Sequence, residues 1–258
     1  MFKKLFAIVL AVIFVFAFLG CGNDSSTDSS SNILPEISGG IDYTSAYDDF
    51  HNVALDNDFD TNYNTNYTYL FQNWLYNPLM FFEVYEDFKD MAIYNSSESR
   101  WEATVTNPFG NDPASITLYG EYEGDILRIY STDELAGEGL YIYPDGGIKI
   151  YMNPDSYIKF EIYKGNNYYY GFIRFNFGEN PSNPPYVIKF KFAKGSPCTY
   201  FDLYFFEYSG STNVGDYPLI RDYSGSAEDW YADRTNVNNL WFEINWDDPT
   251  FTFDSNPS

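Results

Sequence analysis

The residues from Trp101 onward alternate between apolar and polar in short runs that are separated by turn-forming residues. A period of two places successive side chains on opposite faces of a β-strand, so each run predicts a strand. The turns at 144–147, 153–156 and 164–167 are short enough to make consecutive strands antiparallel neighbours. We therefore expect a large antiparallel β meander, either an open sheet or a closed barrel. The predicted strands are 101–106, 115–122, 126–130, 140–143, 148–152, 157–163, 168–177, 186–192, 200–208, 240–246 and 250–253.

The two faces of this meander are predicted to differ in chemistry. One face is apolar and carries residues such as Ile129, Ile142 and Ile150. The other carries tyrosine with scattered charge, if the short turns set the register of the strands. Its members are Tyr119, Glu121, Arg128, Tyr130, Tyr141, Tyr143, Lys149, Tyr151, Tyr157, Lys159, Glu161 and Tyr163.

Three interpretations of the tyrosine-bearing face are open. It can be a solvated outer surface, because tyrosine packs well across strands and keeps its hydroxyl in water. In a closed barrel it can line an interior that holds a small amphipathic ligand. Alternatively, exposed rings can stack on the sugars of an envelope glycan. The candidate ligand-binding residues are Tyr141, Tyr143, Tyr151, Tyr163 and Trp230.

The segment 209–239 interrupts the strand rhythm with several glycines and Pro218. Its apolar residues, among them Tyr217, Ile220 and Trp230, are sufficient for it to pack against the rest of the chain. A long irregular stretch of this kind inside a compact domain is either a functional loop or disordered. We expect an ordered excursion that forms the rim of a binding site.

Residues 43–95 show helical rather than strand periodicity. Apolar residues recur at helix spacing over 43–54 and again over 81–92, with a shorter helix predicted between them. Asn77-Pro78 is predicted as the cap and first residue of the last helix. The complete expectation is an α+β protein, in which this helical N-terminal part precedes and covers an antiparallel β domain of residues 96–258.

The residues Asp56, Asp58 and Asp60 place oxygen ligands at alternate positions, as the start of a calcium loop does. Thr61 stands where the sharp turn of such a loop favours glycine, and Tyr67 stands where a bidentate glutamate closes the site. The run is therefore an incomplete calcium candidate. The alternative is a polar interhelical loop whose side chains bond to their own backbone. No cofactor is expected.

The sequence gives little indication of catalysis. His51 is the only histidine, and the sequence contains neither a glycine-flanked nucleophilic serine nor a phosphate-binding glycine loop. A carboxylate pair can support glycoside hydrolysis without histidine, but no spacing singles one pair out. Cys198 precedes a predicted strand and is expected to be a small buried side chain rather than a nucleophile. We expect a protein that is not an enzyme.

The N-terminus carries Lys3 and Lys4, an uncharged apolar run over 5–19, and Gly20-Cys21. This arrangement resembles the signal peptide of a bacterial lipoprotein. The resemblance implies removal of residues 1–20 and acylation of Cys21, followed by a polar, flexible tether over 21–42. The alternative is an uncleaved anchor, although the apolar run is shorter than the roughly 20 residues that span a bilayer. The glycine after Cys21, rather than an aspartate, favours the outer membrane.

The net charge restricts the partners that the chain can bind. The sequence has 14 Lys and Arg against 37 Asp and Glu, a formal charge of −23 at pH 7, so no nucleic acid partner is expected. The same charge argues against a polybasic membrane-binding helix and leaves the acyl group as the membrane contact. The expected function is a non-catalytic binding or structural role in the bacterial cell envelope, facing the periplasm or the surface. The alternative is a carbohydrate-binding or carbohydrate-active envelope lipoprotein.

Overall fold

The structure is a computed structural model that describes residues 34, 42–56, 65–106, 115–131, 138–145, 147–151, 158–175, 185–211 and 213–255. The predicted signal peptide, Cys21, Asp58 and Asp60 lie outside these residues. Within the predicted tether, Leu34 is described, and its side chain is buried at 5% exposure against the hydrophobic core.

The described residues form one twelve-stranded antiparallel sheet in which every strand pairs with its neighbours in sequence. The predicted meander is confirmed, and of the two predicted forms the sheet is the open one. The strands are β1 (Ile93–Asn95), β2 (Arg100–Thr106), β3 (Ser115–Glu123), β4 (Ile126–Ser131), β5 (Gly139–Ile142), β6 (Ile148–Tyr151), β7 (Ile158–Lys164), β8 (Tyr168–Phe175), β9 (Tyr186–Ala193), β10 (Tyr200–Tyr208), β11 (Val237–Asp247) and β12 (Thr250–Asp254).

The predicted strands agree with the observed ones to within a few residues, and the sequence pattern missed only the short edge strand β1. Three residues are too few to show a period of two, and β1 lies inside the region that was predicted to be helical. The pairing also confirms the predicted register. For example, Ile129 pairs with Leu140 and Tyr141 pairs with Lys149, so apolar and polar residues stay on separate faces.

The apolar face packs against two helices, α1 (Tyr43–Asp56) and α2 (Thr65–Met91). From α1, the Phe50 ring stacks on Phe201 of β10 with centroids 4.3 Å apart. From α2, the Trp74 ring stacks on Phe175 of β8, also at 4.3 Å. The Tyr43 hydroxyl donates to the Leu75 carbonyl at 2.5 Å and ties the two helices together. Among the described residues, no helix is long and apolar enough to cross a membrane.

The prediction that a helix begins at Pro78 is wrong, because α2 continues through this residue without interruption. Proline lacks an N–H and removes one backbone hydrogen bond from the preceding turn. Pro78 and the following Leu79 are buried, so contact with the core holds this part of the helix in place. Tertiary packing therefore outweighs the local cost of the proline.

The polar face of the sheet, which is the face that bears the tyrosines, is covered over its central strands by residues 209–236. We call residues 209–236 the covering segment; Thr212 lies outside the described residues. It contains two 3-10 helices, Val214–Asp216 and Ile220–Asp222, and the short helix α3 (Ala227–Ala232). A capping box between Ser226 and Asp229 begins α3. The predicted ordered excursion is therefore confirmed.

We expect Phe50→Ala to destabilise the protein by about 3–5 kcal/mol, because the buried ring leaves a cavity between α1 and the sheet. The measurement is the free energy of unfolding in urea. The control is Ile93→Ala, whose side chain is 75% exposed and whose loss is expected to change stability by less than about 0.5 kcal/mol. Equal effects of the two substitutions would contradict the docking of α1 on the apolar face.

Candidate functional site

The polar face carries a continuous row of polar and aromatic side chains across ten strands. Neighbours in the row are direct partners in the strand pairing, so each side chain lies beside the next on the same face. In order from β3 to β12 the row is Glu121, Arg128, Tyr141, Lys149, Glu161, Phe172, Lys189, Tyr204, Glu243 and Asp254.

The part of the polar face beside the covering segment is rich in tyrosine. We call this the tyrosine strip, which comprises Tyr119, Tyr130, Tyr141, Tyr143, Tyr151 and Tyr163. Four of the five predicted ligand-binding residues, Tyr141, Tyr143, Tyr151 and Tyr163, fall within it. The strip spans β3 to β7 and adjoins the covering segment through Arg221.

Cations lie over the rings of the tyrosine strip. The Lys149 ammonium lies 3.6 Å from the Tyr141 ring centroid, and the Arg128 guanidinium lies 4.5 Å from that of Tyr130. The Arg100 guanidinium lies 4.0 Å from the centroid of Tyr119. Such contacts contribute about 0.5–1 kcal/mol each where the pair is exposed. These contacts fix the orientation of the rings.

The structure places the predicted ligand-binding tyrosines together but separates them from the predicted tryptophan. Tyr143, Tyr151 and Tyr163 are half-buried in the strip, whereas the Tyr141 side chain is only 6% exposed. Trp230 belongs to α3 and is 1% exposed, so its ring has no accessible face. The half-buried tyrosines are the members of the predicted set that a ligand can reach.

Arg221 connects the covering segment to the tyrosine strip. Its guanidinium lies 3.7 Å from the Tyr143 ring centroid and forms ion pairs with Glu161 and, at 3.1 Å, with Asp145. The Glu161 carboxylate also accepts a hydrogen bond from the Ile220 amide at 2.6 Å. Burial raises the pKa of Glu161, and Arg221 acts in the opposite direction. These bonds fix one end of the covering segment to β7.

Two buried lysines fix the covering segment to the sheet from below. The Lys159 ammonium donates to the carbonyls of Gly215, at 2.8 Å, and Tyr217. The Lys189 ammonium donates to the carbonyls of Trp230 at 2.7 Å and Asp233 at 3.1 Å, and lies over the Trp230 ring. Burial lowers the pKa of Lys159 to about 8 and that of Lys189 to about 7.

The residues predicted from the sequence include neither Lys189 nor a third lysine, Lys191 of β9, which lies among tyrosine rings at the edge of the covering segment. Its ammonium is 5.0 Å from the Tyr231 centroid and 5.4 Å from those of Tyr168 and Tyr200. It also pairs with Glu228 of α3 at 3.2 Å. The alternation of lysine with phenylalanine in β9 is a signal for such a face, but its tyrosines come from the neighbouring strands β8 and β10 and from α3.

The other residues singled out from the sequence are structural or undecided. Cys198 is buried, which raises the pKa of its thiol, and its sulfur lies 3.2 Å from the Tyr200 carbonyl oxygen. The His51 ring stacks against Tyr47. Asp56 ends α1, its side chain is not described, and the calcium prediction therefore stays a prediction. In the described part of the chain, no three His, Cys, Asp or Glu side chains converge as metal ligands.

A second concave region lies between α1 and α2, away from the tyrosine strip. It is a groove of about 540 Å³ with an apolar floor that includes Leu79 and Phe82. Its rim includes the carboxylates of Asp48, Glu83 and Asp87. Burial, followed by the charge of Asp87, raises the pKa of Glu83. The groove is acidic, in keeping with the charge of the chain.

We expect the stability of the protein to depend on the protonation of Lys189. The pKa of Lys189 is about 7 in the folded protein, below the ordinary value of 10.5. Between about pH 7 and pH 10.5 the unfolded chain therefore keeps a proton on Lys189 that the folded chain has lost. Stability must therefore rise with pH over this range. Relative to Lys189→Met, the wild-type protein is expected to gain about 1–2 kcal/mol between about pH 7 and pH 9.

The measurement for Lys189 is the free energy of unfolding in urea at several pH values. The control Lys89→Met changes a lysine on α2, far from the covering segment, and is expected to keep the wild-type pH dependence. Parallel curves for the wild-type protein and Lys189→Met would contradict the prediction.

Comparisons with known proteins identify no relative of this chain. No family model, no curated protein and no solved structure matches it. The function of the chain is therefore inferred from its own residues and their arrangement.

Proposed function

We propose that the chain is a lipid-anchored protein of the bacterial cell envelope with a non-catalytic binding or structural role. The leader and Cys21 support the anchor, and Gly22 favours the outer membrane. We also propose the α+β class, with the helical N-terminal part covering the apolar face of the sheet. Acidic composition supports a soluble fold held near the membrane by its lipid rather than by a basic surface.

A single observation carries the binding role: the covering segment packs on the central strands of the polar face and borders the tyrosine strip at Tyr143, Tyr151 and Tyr163, whose side chains stay half-buried. In the covered part, buried charges are engaged with the covering segment. In the strip, half-buried rings are oriented by cations and border on the carboxylates of Glu121 and Asp145. A pre-oriented, amphipathic surface needs little ordering when it binds, and this favours recognition.

The alternative function, glycan binding, is favoured by the chemistry of the same strip. Sugars present apolar C–H faces and hydroxyl groups, which aromatic rings and carboxylates match respectively. The Tyr130 hydroxyl donates to Glu121 at 2.5 Å, so ring and carboxylate are already adjacent. Envelope glycans are the ligands of this class that a lipid-anchored protein meets first. A small amphipathic ligand inside a barrel has less support, because the sheet is open.

The anchor is tested by the intact mass of the protein purified from bacterial membranes. We expect the wild-type chain to begin at Cys21 and to carry acyl groups. The control variant Cys21→Ser is expected to remain unacylated and to leave the membrane fraction or keep its leader. A wild-type chain with an intact leader and no acyl group would overturn the proposed anchor.

Glycan binding is tested with the full chain in mild detergent against isolated envelope glycans. We expect Tyr130→Ala and Tyr151→Ala each to weaken binding roughly fivefold, since one lost ring contact is worth about 1 kcal/mol. Tyr122→Ala is the matched control, because Tyr122 is 49% exposed and points to the opposite face of β3. Circular dichroism checks that all variants fold.

The outcomes of this experiment separate the two functions. Weaker glycan binding by Tyr130→Ala and Tyr151→Ala, with unchanged binding by Tyr122→Ala, supports glycan binding at the strip. Glycan binding that is unchanged in the strip variants, or weakened as much by Tyr122→Ala, counts against the strip as the site. If the wild-type protein binds no envelope glycan, the structural role remains as the proposal.

A further inference from the structure

Two like charges face each other inside the protein, on the covered part of the polar face. Lys159 of β7 pairs directly with Arg174 of β8 in the strand register. Lys159 is 7% exposed and Arg174 is fully buried. Like charges directly opposite each other destabilise a sheet, and low local polarity strengthens their repulsion. Burial lowers the pKa of both groups, and the charges of Lys149 and Arg174 lower that of Lys159 further, to about 8. For Arg174, burial outweighs the opposing effects of Tyr208, Tyr217 and Asp216 and lowers the pKa to about 10.

The two cations differ in how well they are satisfied by hydrogen bonds. Lys159 donates to two backbone carbonyls of the covering segment. Arg174 donates through Nη2 to the Ser211 carbonyl at 2.6 Å. Its Nε and Nη1 atoms are buried and have no hydrogen-bond partner among the residues that the structure describes. Buried donors of a charged group are rarely left without a hydrogen-bond partner. We therefore expect an acceptor near Nε and Nη1 of Arg174.

The surrounding groups do not provide that acceptor. Tyr208 and Tyr217 place ring centroids 4.8 and 5.7 Å from the guanidinium carbon, which offsets part of the charge without accepting the Nε and Nη1 hydrogens. The Asp216 carboxylate accepts a hydrogen bond from the Ser211 hydroxyl at 2.8 Å and is exposed. The carboxylate of Glu161 is already engaged by Arg221 and the Ile220 amide.

Among the buried side chains here, Lys159 and Arg174 carry more positive charge than Glu161 offsets, and the carboxylate of Asp216, which also acts on Arg174, is exposed. Lys149 of β6 adds a third cation that acts on Lys159, and Glu161 and Asp222 act in the opposite direction. Asp222 lies on the exposed surface of the covering segment. A buried charge that lacks a counter-charge is costly, and the cost is removed when an ion of opposite sign binds.

We propose that a small inorganic anion, of the size and charge of a halide, binds at Arg174 beneath the covering segment. It accepts hydrogen bonds from Nε and Nη1 and neutralises the pair formed by Arg174 and Lys159. The full burial of Arg174 selects a monatomic anion over phosphate or an organic carboxylate, which need more room. The anion thereby supports the docking of the covering segment through Ser211, independently of the proposed binding role of the tyrosine strip.

The test is the unfolding of the full chain in mild detergent as sodium gluconate is replaced by sodium chloride or bromide at constant ionic strength. We expect saturable stabilisation by halide, with a roughly tenfold fall in the unfolding equilibrium constant at ten times the dissociation constant. Arg174→Met is expected to lose this response. The matched control is Arg128→Met, on the same face, whose guanidinium is satisfied by the Glu138 carbonyl at 3.0 and 2.7 Å.

A second measurement keeps the proposal testable if Arg174→Met fails to fold. Crystals of the wild-type protein grown in bromide are expected to show anomalous scattering next to Arg174. The proposal is overturned if halide leaves wild-type stability unchanged, if Arg174→Met keeps the full response, or if bromide is absent from this position. Stabilisation by phosphate or gluconate but not by halide would also overturn it.

Discussion

Strands β7 to β10 are buried on both faces, and every charged side chain on their polar face must therefore find a partner inside the protein. The backbone carbonyls of the covering segment supply many of these partners, chiefly for Lys159 and Lys189. The same bonds satisfy carbonyls of an irregular segment that has few backbone partners of its own. Charge on the sheet and irregular backbone above it thus stabilise each other, and neither is favourable when buried alone.

The polar face therefore has two regions, which differ in whether their side chains contact the covering segment or stay partly accessible. Over the central strands, side chains are committed to holding the covering segment. Over the tyrosine strip, cation contacts orient rings that remain partly accessible. Arg221 belongs to both regions, because it pairs with Glu161 on one side and lies over Tyr143 on the other. A ligand that displaces Arg221 from Tyr143 would therefore also disturb an anchor of the covering segment.

Local patterns in the sequence are sufficient to predict the strands of the sheet, but not how the covering segment packs on its polar face. The strands, their order and their register follow from the period of two and short turns, because these are interactions between neighbours in the chain. The covering segment contacts β7 across 56 residues and more, and no periodicity encodes such contacts. Trp230 was expected at an open rim but is buried, because it lies between Lys189 and Phe172. Asn77-Pro78 locally resembles a helix start, and Pro78 lies inside α2 because burial against the core, a tertiary effect, holds it there.

Leu34 lies well before α1, yet its side chain belongs to the core. If Cys21 is acylated, as proposed, the chain between the lipid and the buried Leu34 side chain consists of residues 21–34. Even fully extended, those residues span at most about 45 Å. A partner of the anchored protein must therefore lie within this distance of the membrane, plus the dimensions of the domain itself. Any cell-envelope layer beyond that limit is out of range.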